Sequence, residues 1–152
     1  MMMWLAGHTD RFQAIASMMG VYDPPSMYGG TEELWFPEKD LCGTPWTSAE
    51  YLRWAPSQSA ANFKTPTLVI TGERDYRVPY TQSLQFFTAL QRQGVPSRLV
   101  VFPDAGHWPS WYEMAFYYDV HLDWFHRWLG GGAAPWDVEK LARNQVFGKG
   151  KP

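Results

Sequence analysis

A single cysteine, Cys42, excludes an internal disulfide and leaves the redox compartment open. No apolar run reaches membrane-spanning length, and the MMMWLA start lacks the charged n-region of a signal peptide. The chain has no basic run, and its net charge of −2 argues against a nucleic-acid partner. Internal repeats and low-complexity segments are missing too, and nothing in the pattern calls for a metal or a cofactor. What is plentiful is aromatic: nine Trp, nine Phe and eight Tyr, suited to burying large surfaces and lining a pocket. At 152 residues the chain is long enough for one domain with a real core and too short for two.

The stretch from Thr65 to Trp108 organises the rest. It predicts a strand over Thr67–Thr71, a short apolar β-branched run closed by Gly72, with Asp75 in the loop that follows. Pro79 suits a first helical turn, Leu84, Phe87 and Leu90 give a helix its apolar face, and Gly94 stops it. A second strand over Arg98–Phe102 leads into a loop carrying His107. Two parallel strands joined by a helix send their following loops to one edge of the sheet, so Asp75 and His107 are predicted to be neighbours. A carboxylate oriented on an imidazole is the base half of a nucleophilic triad. The residues alone also admit a surface Asp and an unrelated loop His.

Elsewhere, Met1–Ala6 reads as an apolar helix ended by Gly7, and Phe12–Ser17 as a strand with Met18–Asp23 as the loop beyond it. Pro24–Pro25 and Gly29–Gly30 punctuate an irregular stretch. Thr31–Trp35 reads as one helical turn, 36–44 as loop, and Ser48–Trp54 as a short helix that Pro56 ends. Phe36, Trp46 and Trp54 read as core. From Trp111 to Leu129, the spacing of Trp111, Met114, Ala115, Tyr118, Leu122, Phe125 and Leu129 predicts an amphipathic helix with this stripe covering the sheet. GGGAAP is a break, so the domain is read as 1–130 and the tail as 131–152, with a short helix over Asp137–Asn144 and a frayed lysine-rich end. His121 and His126 read as surface residues. His8 reads as a loop histidine bonded to backbone, with a ligand or a base as its other reading.

GERDYRVP followed by FPDAGHW resembles the C-terminal part of the catalytic domain of the prolyl oligopeptidase family of serine peptidases. The dipeptidyl-peptidase-like and acylaminoacyl-peptidase-like branches are the most similar. GHTDRFQAIAS and HLDWFHRWL fit the same pattern, so the resemblance covers nearly the whole chain. It implies an α/β fold, the C-terminal half of an α/β-hydrolase, with about three parallel strands and flanking helices. It implies hydrolysis of short peptides through an acyl-enzyme, with His107 as general base then acid and Asp75 as its orienter. Arg77 resembles a clamp on a backbone carbonyl of the bound peptide, a task its rigid fork of donors suits. Val78 matches the pocket for the residue before the scissile bond; Met19 and Trp35 match it more weakly and read equally as core. Trp108 is expected to pack on the imidazole and shield it.

The family's triad runs Ser, Asp, His, with the serine in a G-x-S-x-G turn. No serine in this chain has glycines at those positions. The resemblance therefore implies that the nucleophile and the oxyanion donors lie upstream of Met1, and that the partners are a peptide and the N-terminal half of the catalytic domain. Two other readings stand beside it. One is a non-catalytic fragment whose first strand pairs with a separate N-terminal piece; the other is an esterase of the same fold. Compartment, cleavage preference and oligomeric state are not written in these residues.

Overall fold

The computed structural model describes residues 1–144, so the lysine-rich end lies outside the described residues. The chain divides into two units, Met1–Trp108 and the residues from Pro109 onward. The first unit is built on a parallel sheet of three strands in the order β1 (Ile15–Met18), β2 (Thr67–Gly72), β3 (Ser97–Phe102). Ile15 is in register with Thr67, and Thr67 with Ser97. All of β2 is buried, as its position between two strands demands of an apolar β-branched run. Its buried Thr67 hydroxyl is satisfied by donating to the Thr65 carbonyl at 2.8 Å.

Around the sheet lie α1 (Met2–Ala6), α2 (Pro24–Tyr28), α3 (Trp35–Asp40), α4 (Glu50–Arg53), a 3-10 stretch over Pro56–Asn62, and α5 (Thr81–Arg92). The core gathers Met3, Ile15, Tyr22, Phe63, Val69, Phe86 and Leu90. Phe86 meets Phe63 edge-on, centroids 5.3 Å apart. The inner face of α5 is Gln82, Ser83, Phe86 and Leu90, so of the predicted face only Leu90 is fully buried. Of two adjacent phenylalanines, packing against Phe63 and Tyr22 selects Phe86 as the inward one.

Two corrections and one addition concern proline. The stretch read as irregular contains α2, which begins on Pro24 and Pro25 and is capped by Asp23, whose Oδ1 accepts from Ser26 N at 3.0 Å. The segment read as loop contains α3, with Pro37 in its first turn. Pro56 opens a 3-10 helix as well as following α4. In each case the missing N–H costs nothing, because first-turn donors have no intrahelical partner. Asp23 also accepts from Ser57 Oγ through Oδ2 at 2.8 Å. Asp23→Ala is therefore expected to lower unfolding free energy by about 1–2 kcal/mol, read as a shift in urea midpoint; a shift within error would show the cap to be idle.

In the second unit, α6 (Met114–Leu129) starts where Ser110 donates both its N–H and its hydroxyl to Glu113, and it ends at Gly130, whose φ is 92°. Its buried residues are Phe116, Val120 and Trp124, while Trp111, Tyr118, Leu122 and Leu129 are exposed. The predicted stripe is thus out of phase with the buried one. The helix is so rich in aromatics that several faces qualify by spacing. α7 (Val138–Asn144) follows, and Trp136 Nε1 donates to the Asp119 carbonyl at 3.2 Å. His121 and His126 place Nδ1 against the carbonyls of Tyr117 and Gly131.

Candidate active site

β2 and β3 run parallel, so the turn after β2 and the loop after β3 leave the sheet at the same edge. Their backbones interlock: Glu73 N donates to Phe102 O and Arg74 N to Ala105 O, both at 3.0 Å. The crossing is close at Gly72, where a Cβ would fall on the carbonyls of Ala105 and Gly106. An ion pair of 2.8 Å joins Arg74 to Asp104, but both side chains are mostly exposed, so it adds little.

This crossing brings Asp75 to His107. The Asp75 carboxylate is fully buried, and its two oxygens have separate duties. Oδ1 accepts from the backbone N–H groups of Arg77 at 3.0 Å and Val78 at 2.9 Å. Oδ2 lies 2.8 Å from His107 Nδ1. The turn thus holds the carboxylate rigidly while presenting one oxygen to the imidazole. An imidazole whose Nδ1–H donates to a carboxylate carries its lone pair at Nε2, the state of a general base. The His107 side chain is 24% exposed, so the ring is walled but not sealed. Trp108 meets it edge-on at 5.5 Å and is itself largely exposed, so it flanks the ring without covering it.

Arg77 pairs through Nη2 with Glu33 Oε1 at 2.9 Å. Thr31 Oγ1 donates to the Arg77 carbonyl at 2.6 Å, and Glu32 N to the Tyr76 carbonyl at 2.8 Å. The segment 31–33 is therefore fastened to the turn after Asp75. Sequence reasoning missed Glu33, and no spacing rule would have found a partner 44 residues away. The expected pocket residues separate. Val78 and Met19 are buried at 6% and 4% exposure, whereas Trp35 is 67% exposed and packs edge-on against Phe36. Met19 has a φ of 47°, a left-handed conformation unusual for a residue with a side chain.

Two cavities lie away from this edge. One of about 290 Å³ is polar and lined by His8, Asp10, Asn62 and Lys64 among others; one of about 270 Å³ is apolar and lies among Trp4, Met27, Phe36 and Trp54. Neither is lined by Asp75, Arg77 or His107. His8 stacks on Trp4 at 3.7 Å and bonds its carbonyl at 2.7 Å, as a backbone-bonded histidine does. Among the described residues no group of His, Cys, Asp and Glu could hold a metal ion, and no helix is long and apolar enough to cross a membrane.

The chain is similar to known proteins over most of its length. Dipeptidyl-peptidase 5 of Porphyromonas gingivalis is 35% identical over 83% of this chain, and that of Aspergillus fumigatus 36% identical over 96%. The chain spans only 19% and 20% of those relatives' lengths. The solved acylaminoacyl peptidase of Pyrococcus horikoshii superposes on 92% of this chain with a TM-score of 0.82 and 28% identity, the match covering 24% of that structure. The sheet is thus part of an α/β-hydrolase fold. The family model that matches residues 1–132 agrees with both relatives, and on that footing the chain belongs to the prolyl oligopeptidase family of peptidases, as a C-terminal portion of the catalytic domain.

Proposed function

We propose that this chain carries the Asp–His half of the catalytic triad of a serine peptidase that hydrolyses short peptides through an acyl-enzyme. His107 takes the proton of a serine hydroxyl and returns it to the leaving amine, while Asp75 fixes its tautomer and stabilises the imidazolium. The observation that carries this reading is the division of labour at Asp75: one oxygen held by two backbone donors, the other 2.8 Å from His107. The serine and the oxyanion donors come from sequence outside these 152 residues, since no G-x-S-x-G turn is present. Among the described residues β1 has β2 on one side only, so its other edge is open to a strand from that part of the domain.

Arg77 serves as the clamp on a substrate carbonyl, with Glu33 aiming its guanidinium. Val78 and Met19, both buried, back the pocket for the residue before the scissile bond, and Trp35, which is exposed, is free to meet the substrate there.

A chimera tests this: the Aspergillus fumigatus relative with its matching stretch replaced by residues 1–152. It is expected to react with a serine-directed fluorophosphonate and to cleave a dipeptidyl or acylaminoacyl amide. A folded chimera inert toward both would refute the reading. One that cleaves an acyl ester but neither amide would make this an esterase.

A further inference from the structure

Gln82 lies in the first turn of α5 and is 1% exposed. A primary amide buried so completely must find partners for both its oxygen and its nitrogen. Its Oε1 accepts from the backbone N–H groups of Tyr22 at 3.1 Å and Asp23 at 2.8 Å. Its Nε2 donates to Ser26 Oγ at 2.8 Å, and that hydroxyl donates onward to the Asp23 carbonyl at 3.2 Å. Two N–H groups converging on one atom fix which end of the amide is oxygen. Two of the amide's bonds cross from the helix after the Asp75 turn to the loop after β1, and the third reaches α2, into which that loop leads.

That loop begins at Met19 in its left-handed conformation, a backbone state that persists only where surrounding structure over-determines it. Met19 N donates to Ile70 O at one end, and Gln82 supplies the other fixed point. Gln82 is hydrogen-bonded to neither Asp75 nor His107. The partners of Asp75 are Arg77 N, Val78 N and the imidazole. Its influence is therefore on where the Met19–Asp23 loop sits and not on proton transfer.

We propose that Gln82 is a positioning residue for substrate binding: it pins the Met19–Asp23 loop at the edge of the sheet that carries the Asp75 turn, and so sets the fit of the substrate side chain before the scissile bond. This rests on the reading that Met19 and Val78 back that pocket.

The test uses the same chimera with Gln82→Met, which keeps the shape and loses the polar end, and Gln82→Glu, which keeps an oxygen for the two N–H groups. Gln82→Met is expected to raise KM for a dipeptidyl amide about tenfold while kcat stays within about threefold. Exchange of the Tyr22 and Asp23 amide hydrogens should quicken in parallel, and Gln82→Glu should return both readouts toward the parent. A fall in kcat at unchanged KM, equal losses in the two variants, or unaltered exchange at Tyr22 and Asp23 would each overturn the proposal. Absence of turnover in the parent chimera would instead overturn the peptidase reading, and the exchange of those two amides would still decide whether Gln82 pins the loop.

Discussion

His107→Ala in the chimera is expected to lower kcat by about four to six orders of magnitude and to leave the protein folded. The size follows from the role proposed for the imidazole: without it the serine's proton loses its proposed acceptor, and what survives would come from substrate binding and the oxyanion donors. The fold tolerates the change because the ring is partly exposed and sits in a loop, while Asp75 keeps the two backbone bonds that hold its turn together. The cost to stability is the one bond lost by Oδ2, about 1–3 kcal/mol for a buried acceptor. Steady-state kinetics and a urea titration on the same preparation separate the two effects. Peptidase activity within tenfold of the parent would remove His107 from the mechanism. Activity lost together with the cooperative transition would show that the ring holds the loop.

The sheet and the pairing of Asp75 with His107 could be read from the sequence because they follow from topology. A buried apolar run, a helix-length spacer and a second apolar run specify parallel neighbours, and parallel neighbours send their loops to one edge. The boundaries of β2 and β3 came within a residue for the same reason. Three kinds of feature escaped. Helices with proline in their first turn escaped, because Pro24, Pro25 and Pro56 were read as punctuation and not for the φ they fix, and Pro37 was passed over within a segment read as loop. The buried face of α6 was misplaced because its aromatics satisfy several phases at once. The supports of the site, Glu33 on Arg77 and Gln82 on the Tyr22–Asp23 backbone, are single contacts between distant segments. Periodicity encodes faces; it does not encode which lone polar side chain crosses between two loops.

Gly72→Ala is expected to damage both stability and activity, although Gly72 touches no substrate. Its backbone is ordinary strand paired with Phe102, so the argument is one of space and not of a left-handed φ. A Cβ there would overlap the carbonyls of Ala105 and Gly106, which are backbone atoms with no rotamer to escape into. Relief requires the loop after β3 to lift away, and that loop carries His107 and receives the Arg74 N–H. Breaking these contacts costs about 3 kcal/mol, at the upper end of overpacking. A displacement of about 1 Å between Asp75 and His107 costs about a hundredfold in kcat. Gly29→Ala is the control: a Cβ there stands 3.7 Å from its nearest neighbour, the Ser26 carbonyl, at a φ of −71°, and should shift the urea midpoint little. If Gly72→Ala matched Gly29→Ala in midpoint and kept kcat within twofold, the close crossing could not be what sets the Asp75–His107 distance. If it fails as expected while Gly29→Ala does not, the dyad's geometry is set by a residue with no side chain, at the one point where two strand ends must cross.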